Sequence, residues 1–154
     1  MKEVQIKAFE DKYHTQFREI SLDWLHSNGL YEKADDDLLD NPQKYLENGS
    51  FIFLAHYNDE IVGTVTLSPL ENNTFEIMKL GVIGTYKRLG IGRKLLQICI
   101  DICHEKEVEL ITLDTSSKLV NAIKLYEEFG FVHAEITTSY YESADVKMEL
   151  KLRQ

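Results

Sequence analysis

Helical and alternating stretches of apolar residues divide the chain into successive elements. Residues 4–9 alternate loosely and predict a first strand. Phe17, Ile20, Leu22, Trp24 and Leu25 then recur at helical spacing over 13–27, and Asn28-Gly29 ends that run. A second helical region spans 35–48, entered through acidic residues and closed by Asn48-Gly49. Inside it Pro42 follows Asn41 and restarts the helix at a first-turn position, where a missing N–H is tolerated. The period then falls to two. Residues 51–57 and 61–67 read as a hairpin around Asn58-Asp59, 69–74 as a turn region, and 75–82 as the next strand. Gly81, inside that strand, suggests a bulge or a close backbone approach.

Beyond residue 84 the pattern changes again. A glycine-rich basic stretch, 84–92, leads into Ile91, Leu95, Ile98, Cys99 and Ile102 on one helical face. A strand is predicted over 108–113. A helix follows over 118–129, with Leu119, Ala122, Ile123, Tyr126 and Phe129 along one side and Gly130 at its end. Strands over 131–138 and 144–152 complete the chain. The order is strand, two helices, three strands, helix, strand, helix, two strands. It predicts a mixed α/β fold: about seven strands, about four helices and one helix-connected parallel pair, 75–82 with 108–114. No repeat or linker interrupts it, so residues 1–154 are expected to form a single domain.

Composition narrows the classes of function. Apolar residues are 44% and charged residues 28% of the chain, with no apolar run near twenty residues and no signal-peptide core. The expectation is a cytoplasmic protein without a membrane partner. A formal net charge of −9 argues against nucleic acid, because phosphate binding needs a basic surface. It is compatible with a cationic amine steered by the field. Asp35, Asp36, Asp37 and Asp40 read as a solvated helix start. Cys99 and Cys103 sit four apart beside His104, but His104 turns away on the helix and no second ligand cluster exists. They read as buried free thiols, and no metal is expected.

The segment Lys87-Arg88-Leu89-Gly90-Ile91-Gly92-Arg93 carries the most chemistry. Two glycines at a helix mouth let backbone approach a ligand, and the free N–H groups of the first turn suit a phosphate. Lys87, Arg88 and Arg93 add charge-assisted contacts. A Walker loop fails, since five residues separate Gly84 from Gly90 and Ile91-Gly92 follows. A dinucleotide fingerprint fails at Leu95, where it needs glycine. A plain glycine turn flanked by basic residues remains open on these residues alone.

The chain here resembles the GNAT N-acetyltransferase superfamily. Lys87-x-x-Gly90-x-Gly92 is similar to its acyl-CoA signature, and the strand Glu76-Ile-Met-Lys-Leu-Gly-Val82 to its cofactor-flanking strand. Asn121-Ala-Ile-Lys-Leu-Tyr126-Glu-Glu-Phe-Gly130-Phe131 resembles its Ala-x-x-Leu-Tyr-x-x-x-Gly-Phe motif. The likeness is strong over roughly residues 50–150. Three departures stand out: Lys87 replaces Arg or Gln, Arg88 takes a place where glycine is frequent, and Leu119 stands where many relatives carry asparagine. Asn121 is nearby but shifted.

The resemblance implies a GNAT-like central twisted sheet whose parallel strands splay apart, and acetyl-CoA as co-substrate. Its pyrophosphate would lie on the backbone of residues 88–93, and Leu80, Gly81, Val82 and Asn121 would also contact it. The implied activity is acyl-CoA-dependent N-acetyltransfer to a primary amine of a small molecule or peptide, with a homodimer compatible. A lysine-like amine, of pKa about 10.4, is mostly protonated at neutral pH, so a base must accept its proton. Glu76 is the candidate, through a water, against the plain reading of a solvent-facing strand carboxylate. Tyr126 is the candidate to support the departing thiolate, against a core tyrosine with a locally satisfied hydroxyl. Backbone N–H groups near Leu80 and Val82 would stabilise the carbonyl oxygen. The alternatives are a non-catalytic acyl-CoA sensor on the same fold and a nucleotide-phosphate enzyme. Tyr13, Tyr31, Tyr140 and Tyr141 serve equally as acceptor-pocket walls or core, and Trp24 is expected in the core.

Overall fold

A computed structural model describes residues 3–86, 89–136 and 141–152. Among these residues seven strands form one mixed sheet in the order β1-β2-β3-β4-β5-β7-β6. They are β1 (Gln5–Ala8), β2 (Phe51–Tyr57), β3 (Glu60–Leu70), β4 (Thr74–Val82), β5 (Leu110–Thr115), β6 (Val132–Ala134) and β7 (Val146–Lys151). The helices are α1 (His14–Ser27), α2 (Asp36–Asp40), α3 (Pro42–Glu47), α4 (Ile91–Glu105) and α5 (Val120–Glu128). Among the described residues no helix is long and apolar enough to cross a membrane.

Period-two alternation in β2 divides the core between the sheet's two faces. Phe53 and Ala55 belong to a cluster with Leu95, Leu96 and Cys99 of α4 and Ile111 and Leu113 of β5. Ile52 and Leu54 belong to another, with Phe17 and Leu25 of α1 and Leu38 and Leu39 of α2. Each fully buried leucine contributes about 1.5–3 kcal/mol of transfer free energy, so α4, with Leu95 and Leu96 wholly enclosed, is firmly seated. Cys99 and Cys103 are buried free thiols in this packing. Burial raises both thiols, Cys103 to about 12, so they stay protonated.

Besides the strand expected over 131–138, which is Val132–Ala134 with 137–140 outside the described residues, the elements depart from expectation at three places. The helical region over 35–48 breaks into α2 and α3 at Asn41, with Pro42 at the start of α3, which makes five α-helices among the described residues where about four helices were expected. The strand expected to end at 67 continues through Pro69 to Leu70. Beyond Leu67, among the described residues, only β4 pairs with β3, because β2 begins at Phe51 opposite Leu67. Pro69 therefore sits where one side of its strand has no neighbour to bond. Third, the bulge of β4 lies two residues before Gly81. Thr64 faces Gly81 and Thr66 faces Met78, so Lys79 and Leu80 together oppose Val65. Lys79, not the glycine, takes the left-handed conformation, at φ +55°. Gly81 answers to a close approach instead: a Cβ there would lie 2.8 Å from Trp24 Cδ2.

That bulge matters to the parallel pair. β4 and β5 are in register from Thr74–Leu110 to Ile77–Leu113 and then stop pairing, although they run on to Val82 and Thr115. The expected splay is present, and it begins where the bulge turns β4. From Met78 onward the β5-facing edge of β4 has no ladder partner among the described residues, so its backbone groups are available to something else.

Candidate active site

Two cavities meet at the splay. The larger, about 910 Å³, runs between the end of β4, the mouth of α4 and the start of α5. Gly90 caps α4 at φ +74°, a conformation that favours glycine, and among the described residues nothing lies within 4 Å of the place a Cβ would take. The first helical bond runs from the Lys94 N–H to the Gly90 oxygen at 3.1 Å. The N–H groups of Ile91, Gly92 and Arg93 precede that ladder, at the positive end of the helix dipole. A Cβ at Gly92 would meet Leu125 at 3.5 Å, an ordinary contact, so the space beside its backbone is open enough for a small group.

Of the residues expected to contact a cofactor, Leu80, Gly81, Val82, Gly90, Ile91, Gly92, Arg93 and Asn121 line this cleft. Leu89 is exposed and is not on its wall. Lys87 and Arg88 lie outside the described residues. The Arg93 guanidinium is held by Glu128 and sits over the Phe129 ring, 5.3 Å from its centroid. Lys118 and Lys124, not anticipated from the sequence, bring positive charge from α5 and the residues before it.

The smaller cavity, about 90 Å³, lies on the other side of Leu80. Glu76 and Tyr126 both line it, so the two candidate catalytic residues, fifty positions apart, share one space. Glu76 stands on β4 between Ser68 of β3 and Thr112 of β5. Burial pushes its carboxyl above the usual range, and the nearby Asp114 charge adds to this, against smaller opposing effects of Lys79 and Lys147. Tyr126 is 5% exposed, its ring packed on Phe131 at 5.7 Å between centroids. Burial raises its phenol far above the ordinary value, so it remains an O–H donor.

Trp24, Leu80 and Leu119 line both cavities and form the boundary between them. Trp24 is thus a wall of the site, not simply a core residue. Its indole also fills the space above Gly81. Other residues of the smaller cavity come from distant segments: Asp35 ahead of α2, Lys79 in the bulge, Asp114 in β5 and Tyr141 ahead of β7. Lys79 pairs with Asp35, and its Nζ lies 3.8 Å from the Tyr141 ring centroid. The sequence offered one clue to this, a lysine inside the otherwise apolar run Ile77-Met-Lys-Leu80. Among the described residues no group of His, Cys, Asp and Glu side chains could hold a metal ion.

Similarity to known proteins agrees with this fold. The N-alpha-acetyltransferase 50 of Danio rerio is 35% identical over 101 residues, 63% of this chain and 60% of that protein's length. The chain therefore spans less than two thirds of that relative. The uncharacterised N-acetyltransferase YjgM of Escherichia coli K12 is 28% identical over 122 residues, covering 77% of this chain and 73% of that one. A GNAT-family acetyltransferase structure from Staphylococcus aureus Mu50 superposes with a TM-score of 0.90 at 27% identity, covering 98% of this chain and 100% of the other. The structure of yncA from Salmonella typhimurium, with its cofactor acetyl-CoA, shares the fold with a TM-score of 0.79 at 18% identity, over 99% and 95% of the two chains. The profile of the Acetyltransferase (GNAT) family matches residues 7–131. The chain belongs to the GNAT acetyltransferase family.

Proposed function

We propose that this protein is an N-acetyltransferase that moves the acetyl group of acetyl-CoA to a primary amine by direct attack within a ternary complex. The observation that carries the reading is the junction at Leu80: a helix-mouth cleft suited to a phosphate on one side, a carboxylate and a buried phenol on the other. The cleft accepts the co-substrate on its own chemistry. Three backbone N–H groups at the start of α4 suit a pyrophosphate, and Lys118, Lys124 and Arg93 supply charge around it. Asn121 lines the same wall. That yncA is named with acetyl-CoA supports the choice among phosphate ligands.

The thioester would reach the boundary residues, with the acceptor amine entering the smaller cavity. The amine nitrogen attacks the carbonyl carbon and the carbon–sulfur bond breaks. Glu76, directly or through a water, takes the amine proton; its raised pKa makes it a better base than an ordinary carboxylate. Tyr126 donates its O–H to the departing thiolate, a role that suits a phenol held protonated by burial. The unpaired β5-facing edge of β4 around Leu80 and Val82 supplies N–H donors to the carbonyl oxygen as negative charge develops there. On this reading residues 1–154 act as one catalytic domain in the cytoplasm, where acetyl-CoA is at hand.

The test is a panel of amines, amino acids, polyamines and peptide N-termini in a free-thiol release assay, beside acetyl-CoA calorimetry. Amine-dependent thiol release is expected. Tight acetyl-CoA binding without turnover on any amine would leave a sensor, and no acetyl-CoA binding would remove the proposal altogether.

A further inference from the structure

Among the described residues Lys79–Asp35 is the one ion pair buried on both sides, with side chains 9% and 2% exposed. Every other pair leaves each partner at least 37% exposed. Lys79 also holds φ +55°, where its Cβ crowds the backbone, so its surroundings must maintain it there. Two contacts do so. The Asp35 carboxylate takes its ammonium, and the Tyr141 ring lies 3.8 Å from Nζ.

These partners are themselves tied together. Asp35 Oδ2 accepts the N–H of Glu32 at 2.8 Å. The Glu32 carboxylate accepts the N–H groups of Glu142 and Ser143 at 2.7 and 2.9 Å, and the Ser143 hydroxyl donates to it at 2.5 Å. One circuit of contacts therefore runs from residues 32–35 through the β4 bulge to the segment ahead of β7 and back. It encloses the small cavity, whose wall includes Asp35, Lys79, Leu80, Tyr141 and Ser143.

We propose that Lys79 is a positioning residue for acyl transfer. Paired with Asp35 and stacked on Tyr141, it holds the left-handed bulge that sets Leu80 between the two cavities, and it fastens that bulge to the segment closing the acceptor side. The inference rests on the acyl-transfer reading of the site. Lys79 acts through the backbone beside it, where a displacement of about 1 Å can cost about 10²-fold in rate.

Three variants test it: Lys79→Met, Lys79→Met with Asp35→Asn, and Lys79→Gly. The double variant removes the buried carboxylate that Lys79→Met leaves unpaired, so a folding defect is separated from a positioning defect. Hydrogen exchange is followed over 77–83 and 141–145, with 51–57 as internal control. Kd for acetyl-CoA and kcat with an accepted amine are measured on the same preparations.

Both methionine variants are expected to exchange about tenfold faster at 77–83 and 141–145, with 51–57 unchanged. Their kcat should fall about tenfold or more while acetyl-CoA affinity moves less than about threefold. Lys79→Gly accepts the backbone conformation without strain, so it should recover part of kcat while 141–145 stays as loose as in Lys79→Met. A folded double variant with wild-type exchange at both segments and wild-type kcat would overturn the proposal. If the wild-type protein turns over no amine, the acyl-transfer reading fails by itself. Exchange then decides the circuit: faster at both segments supports it, unchanged overturns it.

Discussion

The two cavities are built in opposite ways. The large cleft is drawn mainly from two stretches of chain: residues 80–93, with the end of β4, the glycine turn and the mouth of α4, and residues 118–128 around α5, with Trp24 and Asn28 from the end of α1 beside them. On the proposed function its recognition would rest on N–H groups and a helix dipole, which a local glycine turn can supply. The small cavity is made of side chains drawn from Trp24, Asp35, Glu76, Asp114, Tyr126 and Tyr141, and it is held by a buried ion pair. A shared co-substrate can be recognised by a local turn, whereas an acceptor specific to one protein requires the tertiary fold to assemble its site. On the proposed function, damage to the cleft should lower acetyl-CoA affinity, and damage to the cavity should lower turnover with affinity intact.

The sharpest break in that division is Glu76→Gln. It should lower kcat/KM for the amine by about 10²-fold or more, with acetyl-CoA affinity unchanged by calorimetry. The same variant should raise Tm at neutral pH. Burial and Asp114 hold the folded carboxyl above its unfolded pKa, so the native state binds its proton more tightly. That stabilisation is present below the unfolded pKa and is lost as pH rises through the folded one, which leaves an uncomfortable buried charge at pH 7. On the other side of the comparison, Gly90→Val should weaken acetyl-CoA binding about tenfold, because valine at φ +74° is strained and its side chain stands at the helix mouth. A folded Gly90→Val with unchanged affinity would detach the cleft from the co-substrate.

Gly81→Ala probes the boundary itself. The new methyl would meet the Trp24 indole at 2.8 Å, and overpacking of this kind costs about 1–3 kcal/mol. A lower Tm together with a lower kcat is expected, since Trp24 borders both cavities; a lower Tm alone would make that contact structural. The smallest effect is a shift in a pH profile. Asp114→Asn removes a charge that raises Glu76, so the acid limb of kcat/KM should move to lower pH. A limb that stays in place would separate Asp114 from the base, or Glu76 from the limb.

Much of the fold was legible because its signals are local. The hairpin turn Asn58-Asp59 takes two positive φ values, 57° and 64°, and Gly130 ends α5 at φ +98°. The glycine turn announced a helix mouth for the same reason. What escaped was set at a distance. No periodicity indicates that Pro69 can continue β3 because β2 stops opposite Leu67. The left-handed conformation at Lys79 depends on the buried Asp35 beside it, forty-four positions upstream, while Gly81, read as a bulge or a close approach, marks the close approach of Trp24 next to the bulge. Trp24, spaced like a core residue on α1, forms a wall of both cavities because Gly81 leaves room for its ring. Glu76 and Tyr126 were singled out from motif positions, and only the splay of β4 from β5 brings them to one cavity.

The central claim, that acetyl transfer occurs where the two cavities meet, is tested most directly by Tyr126→Phe. The ring stays in its packing and only the hydroxyl is lost. With an amine from the panel, thiol release, acetyl-CoA affinity and Tm are measured on one preparation. The account predicts kcat lower by about 10²-fold with affinity and Tm nearly unchanged, because the hydrogen bond to the thiolate is made mainly in the transition state. Normal turnover in a folded Tyr126→Phe protein, with about 1 kcal/mol less stability, would make this tyrosine a core residue and contradict the account.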